Sequence, residues 1–98
     1  MKVIVICEEN HGDIGIVTTM KAAFQYLIDT AWLDWGFEMW DHTTDTWYTV
    51  HDVFAAKGIE ETRENLLAWC LENQDNYDIW DGAFYFHEDT VYGEEEWG

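Results

Sequence analysis

Hydrophobic positions along this chain switch between two periods. Val3-Ile4-Val5-Ile6-Cys7 is a largely β-branched run that leads into Glu8-Glu9-Asn10-His11-Gly12-Asp13, a stretch of turn composition, and then into Ile14-Gly15-Ile16-Val17. Two short β-rich runs about an Asn-His-Gly-Asp turn predict a hairpin. Beyond it the period lengthens. Met20, Ala23, Phe24, Leu27 and Ala31 recur at three- and four-residue steps. That stripe predicts a helix from Met20 to about Leu33, with Thr18 or Thr19 as N-cap and Gly36 ending it.

Phe37 to Trp40 and Thr46 to Val50 are aromatic and β-branched, and the polar stretch Asp41 to Asp45 separates them. They predict a second hairpin. Residues 51–57 are read as a short helix ending at Gly58. Ile59 to about Asn73 is expected as an amphipathic helix, its buried side formed by Ile59, Leu66, Leu67, Cys70 and Leu71. Glu60 and Glu61 would then sit in the first turn, where they suit the helix dipole. A last strand is expected at Ala83 to His87. There is no proline, no Ser/Gly linker and no internal repeat. The expected fold is α+β: a single compact domain, 1–98, with two β-hairpins and a final strand packed with two amphipathic helices. The acidic composition of residues 93–98 predicts fraying there.

Charge changes the picture. The 98 residues hold 21 Asp and Glu against 4 Lys and Arg, a formal net charge of −17. Nearly half the chain is apolar and 17% is aromatic, too much for a disordered acidic tail. The chain therefore folds against its own repulsion. Direct binding to DNA, RNA or an anionic membrane is excluded as an expectation, because four cations cannot neutralise a phosphate track that 21 carboxylates repel. The acids are also polarised: five lie in residues 1–37 and sixteen in residues 38–98. Asp75, Asp78, Asp81, Glu88, Asp89, Glu94, Glu95 and Glu96 follow one another without a Lys or Arg among them. Tyr77, Trp80, Phe84, Tyr85, Phe86 and Tyr92 are threaded through this stretch, and core packing should claim about half of them.

The first residues carry only a five-residue apolar run before Glu8, so no signal peptide is expected, and no window approaches the length of a membrane span. A cytoplasmic setting with reduced thiols follows as the expectation. Cys7 and His11, spaced Cys-x3-His at the mouth of the first hairpin, are the candidate metal ligands for a structural zinc. Cys70, His42, His51 and His87 are available to complete the set. The competing reading makes Cys7 an inward small hydrophobe and His11 an exposed turn residue. An EF-hand-like calcium loop at 75–88 fails, because Tyr77 and Ile79 fall where carboxylates are needed. For catalysis there is no phosphate-binding Gly loop and no His-Glu-x-x-His helix, and the chain contains no serine. The reading is a binding protein, not an enzyme.

A net charge far beyond the roughly 2 to 8 that keeps a small domain soluble points to a cationic partner. Same-face positions on a strand repeat about every 6.6 Å, and i,i+4 positions on a helix about every 6 Å. Carboxylates at such spacings can occupy the points that a nucleic-acid cleft fills with phosphate. In size, acidity and aromatic richness the chain resembles the small acidic anti-defence proteins of bacteriophages, the anti-CRISPR and anti-restriction inhibitors. The resemblance implies an inhibitor, acting as a DNA mimic or by occlusion, that blocks a basic nucleic-acid-binding surface of a defence nuclease. The first expected target is the type II CRISPR RNA-guided nuclease. The expected partner-binding residues are Asp75, Asp78, Asp81, Glu88, Asp89 and Glu94 to Glu96, with Asp41 and Asp45 as a second cluster. The alternative is a small zinc-stabilised or regulatory binding module whose partner has nothing to do with nucleic acid.

Overall fold

Alternation of side chains across β-strands decides the architecture. A computed structural model describes residues 1–80 and 82–91. The first hairpin pairs β1 (Lys2–Glu8) with β2 (Gly12–Val17), and Gly12 takes the positive φ of 72° that its turn requires. A register shift beside Ile6 and Cys7 marks a bulge between these strands. The last strand, β5 (Phe84–Thr90), returns to the other side of β1, also antiparallel, giving a three-stranded sheet of order β2-β1-β5.

Ile6, Phe84 and Phe86 point from this sheet into the main core, where they meet Phe24 and Leu27 of helix α1 (Met20–Asp29). Val3, Val5 and Cys7 point the other way. They are buried, but they are not part of the main core. Ile16 and Tyr85, their cross-strand partners, are exposed on that second face.

Helix α1 begins at its expected cap: the Thr19 side chain accepts from the Ala22 N–H. It ends earlier than expected, at Asp29 and not near Leu33. The Thr30 hydroxyl donates back to the Tyr26 carbonyl, and Ala31 takes a left-handed φ of 61°. This turn reverses the chain so that Leu33, whose N–H reaches the Leu27 carbonyl, is fully buried while Ala31 is exposed. A continued helix would have kept Ala31 on the core stripe.

The second hairpin pairs β3 (Glu38–Asp41) with β4 (Thr46–Thr49) in a separate sheet, with Trp40 and Trp47 in edge-to-face contact at 5.2 Å. Thr49 then caps α2 (Val50–Lys57) in a reciprocal box with Asp52, and Gly58 ends it at φ 68°. Helix α3 (Arg63–Glu72) starts four residues later than the sequence pattern suggests, because Thr62 is the N-cap and accepts from Asn65 N–H. Glu60 and Glu61 therefore precede the helix, and Glu64 is the first-turn acid. Leu66, Trp69 and Cys70 are its buried residues, with Ile59, Leu67 and Leu71 packed partly against the core. A further four-residue helix, α4 (Tyr77–Trp80), buries Trp80 against Phe24, Phe37 and Trp69. The described residues thus form an α+β fold of four helices and five strands in two antiparallel sheets.

Candidate functional site: an acidic, aromatic groove

Helix α4 and the turn before it are wedged between β5 and the second hairpin, and shallow depressions form on either side. The one beside β5, about 400 Å³, has Trp80, Phe84 and Phe86 as its apolar lining and Asp75 at its rim. Asp75 also lines a smaller depression of about 280 Å³ with Glu88 and His87. On the hairpin side, about 440 Å³ is lined by Glu9, Glu38, Asp78, Trp40 and Trp47. It shares Gly82 with the first depression, and it shares Asp78, Trp40, His42 and Ile79 with a fourth of about 250 Å³ that adds Asp41 and Tyr48. These four form one track carrying six carboxylates, with no Lys or Arg among its described lining residues.

The expected partner-binding residues are unevenly placed. Asp75 and Asp78 are exposed on the track. Asp41 is half-buried and committed to its turn, where Oδ1 accepts the N–H groups of Thr43 at 2.8 Å and Thr44 at 3.4 Å. Those backbone bonds hold its carboxyl below the usual range. Asp45 is at the turn tip with φ 57°, its N–H bonded to the Asp41 carbonyl. Glu88 is exposed and lies 3.9 Å from the Lys2 ammonium, a solvated pair of small energetic weight. Asp89 pairs in register with Val3, so it faces the second side of the sheet, away from the core-facing Glu88. Asp81 and Glu94, Glu95 and Glu96 lie outside the described residues, as does the expected fraying of 93–98.

Glu9, Glu38, Trp40 and Trp47 belong to the track and were not singled out from the sequence. Trp47, an exposed large aromatic opposite Trp40 on a hairpin that also carries Glu38 and Asp41, is the signal that could have found them. The remaining cations sit on helices: Lys21 on α1, Lys57 on α2, and Arg63 on α3, where both Nε and Nη2 donate to Asp29 Oδ1 at 3.1 and 2.7 Å. Tyr48 records the track's field. Burial raises its phenol above the ordinary value, and the charges of Asp41 and Asp78 raise it further.

Cys7 and His11, the candidate zinc ligands, have different partners. The Cys7 thiol donates to Asp13 Oδ1 at 3.2 Å and lies 3.7 Å from His87 Nδ1. Burial, then the Asp13 carboxylate, push that thiol up and so disfavour the thiolate that metal or electrophile would need. His11 is exposed, joined through Nδ1 to Glu8 Oε2 at 2.5 Å and resting edge-on against Trp32. His51 is bonded to Glu61, and Cys70 is fully buried. Among the described residues no group of three or more His, Cys, Asp or Glu side chains is arranged to hold a metal ion.

Comparison with protein-family models, curated proteins and solved structures gives no match. No helix among the described residues is long and apolar enough to cross a membrane.

Proposed function

We propose that this protein acts by binding, laying its acidic aromatic track on a basic nucleic-acid-binding surface of another protein and so excluding the nucleic acid. The observation that carries this reading is the convergence of six carboxylates from β5, the first hairpin, the second hairpin and the 75–78 segment on one track whose described lining holds no Lys or Arg. A cleft built to attract phosphates attracts such a track as readily, and the encounter is steered by charge. Trp47 and Tyr77, exposed beside these carboxylates, are of the residue type that supplies desolvated anchors once contact is made. In keeping with the resemblance to phage anti-defence inhibitors, the first partner to test is the type II RNA-guided DNA nuclease, and the second is a restriction nuclease.

The test is inhibition of DNA binding and cleavage by purified nuclease at equimolar protein. Inhibition should weaken at least tenfold between low and high salt. It should also weaken at least tenfold in the Asp75→Lys/Asp78→Lys variant, whose side chains are exposed and whose fold is checked by circular dichroism. Full inhibition by that variant, or inhibition indifferent to salt, refutes the docking mode. No inhibition of either nuclease class refutes the defence assignment.

A further inference from the structure

The sheet order β2-β1-β5 leaves two edges among the described residues, and they are not equivalent. β2 is broken by a register shift against β1 and carries Gly12 and Gly15. β5 pairs with β1 in unbroken register through all seven residues, Phe84–Thr90. It contains no proline, lysine or bulge, and the carboxylates of Glu88 and Asp89 are what guard this edge against another acidic strand. In an antiparallel strand alternate residues turn their backbone N–H and C=O away from the paired neighbour. On β5 those groups look outward, apart from the Thr90 N–H, which donates to Asp89 Oδ1 at 2.8 Å.

Two depressions border β5, and the second is also lined by Ile4 of the central strand and Met20 of α1, which places it over the core-facing side of the sheet. Phe84 and Phe86 point toward the core and Tyr85 to the opposite face, yet all three line the first depression; Phe86, His87 and Glu88 line the next. A groove on the core-facing side thus borders five successive residues of β5, Phe84 to Glu88. Its far wall is the 74–80 segment, with Gln74, Asp75 and Trp80. The first depression is shallow, about 400 Å³ in volume.

We infer that the edge of β5, unpaired among the described residues, is a strand-addition site for an extended basic segment of the partner protein, an inference that rests on the reading of this protein as a binder of cationic surfaces. The added strand would supply the missing backbone partners over about 23 Å of edge. An aromatic or long aliphatic side chain of that strand enters the groove over Trp80, Phe84 and Phe86. Flanking Lys or Arg meets Asp75 and Glu88 on the core side of the sheet and Asp89 on the other. Charge selects this occupant over a second copy of the chain: edge-to-edge pairing of two β5 strands would bring two sets of Glu88 and Asp89 together between molecules of −17 each.

The probe is a labelled nine-residue peptide with a central Phe and Val positions flanked by Arg and Lys, used beside a copy N-methylated at alternate residues with the same side chains and charge. The parent peptide should bind the full chain with loss of affinity in salt, and the N-methylated copy at least tenfold more weakly. Hydrogen exchange should slow at least tenfold at alternate amides between Phe84 and Glu88, while the α2 amides keep their rates. Equal binding of the two peptides, no binding of the parent, or protection elsewhere with β5 unchanged each overturns strand addition. The two readings separate cleanly. Nuclease inhibition that persists without β5 protection leaves the proposed function standing and removes this inference, and β5 protection by the peptide without nuclease inhibition does the reverse.

Discussion

Asp41 and Asp78, one closing β3 and the other in α4, flank a single phenol, that of Tyr48, and both carboxylates push its ionisation upward. The two acidic clusters that are separate in sequence therefore share one field.

Neutralising that pair gives the first prediction. In Asp41→Asn/Asp78→Asn the Tyr48 pKa should fall, yet stay above the ordinary 10.0, since burial is the largest cause of the shift. An NMR titration of the Tyr48 ring carbons measures it. An unmoved midpoint would show that the two carboxylates do not act on the phenol.

Gly15 has no room for a side chain. A Cβ there would lie 2.8 Å from Cε1 of Tyr26, whose hydroxyl donates to the Ile14 carbonyl at 2.5 Å. Gly15→Ala must displace that ring and break its anchor, at a cost of about 1–3 kcal/mol in urea denaturation. Combined with Tyr26→Leu, which removes the obstruction, the same substitution should cost less than it does alone.

The reciprocal cap at Thr49 joins the second hairpin to α2 without an intervening loop. Thr49→Ala should lower stability by about 1 kcal/mol. The Asp52 carboxyl, which accepts from the Thr49 backbone N–H, is held below its ordinary 3.8, so its own contribution is present above pH 3.8 and fades as pH falls through the lowered value. That backbone bond survives in Thr49→Ala, so the linkage is read in Asp52→Ala, whose urea midpoint should converge with the parent's in acid; a constant gap down to full protonation would contradict it.

Alkaline pH tests the core from the other side. Burial pushes the Cys70 thiol from 9.0 up to about 12. A raised pKa means the folded state keeps its proton after the unfolded chain has lost it. Stability is thus complete below pH 9.0 and drains away between pH 9.0 and about 12. Cys7 and Tyr48, shifted in the same direction, steepen the decline. Cys70→Ala should cost on the order of 1 kcal/mol at neutral pH but flatten the slope above pH 9.0. An unchanged slope would locate the alkaline loss elsewhere.

Local chemistry explains what could be read from the residues. Both hairpins follow from turn residues between β-rich runs, and the end of α2 from Gly58, whereas its Thr49 cap was read as strand. The ends of α1 and α3 were misplaced because apolar periodicity ran past them. At Ala31 a left-handed residue, and at Thr62 a hydroxyl cap, overrode that periodicity. Helix α4 is too short to have a period at all. Four of the track's six carboxylates stood out in the sequence, Asp75, Asp78 and Glu88 in the acidic stretch and Asp41 in the second cluster, whereas Glu9 and Glu38 reach it only through tertiary packing.

The partnership of β1 with β5 also sets an order of events during synthesis. Residues 2–8 leave the ribosome well before their mates at 84–90, so the central strand waits with one flank open while the intervening residues are made. Closing so long a loop is entropically demanding and slows the final zippering. The first hairpin therefore depends on chain made much later for its second flank.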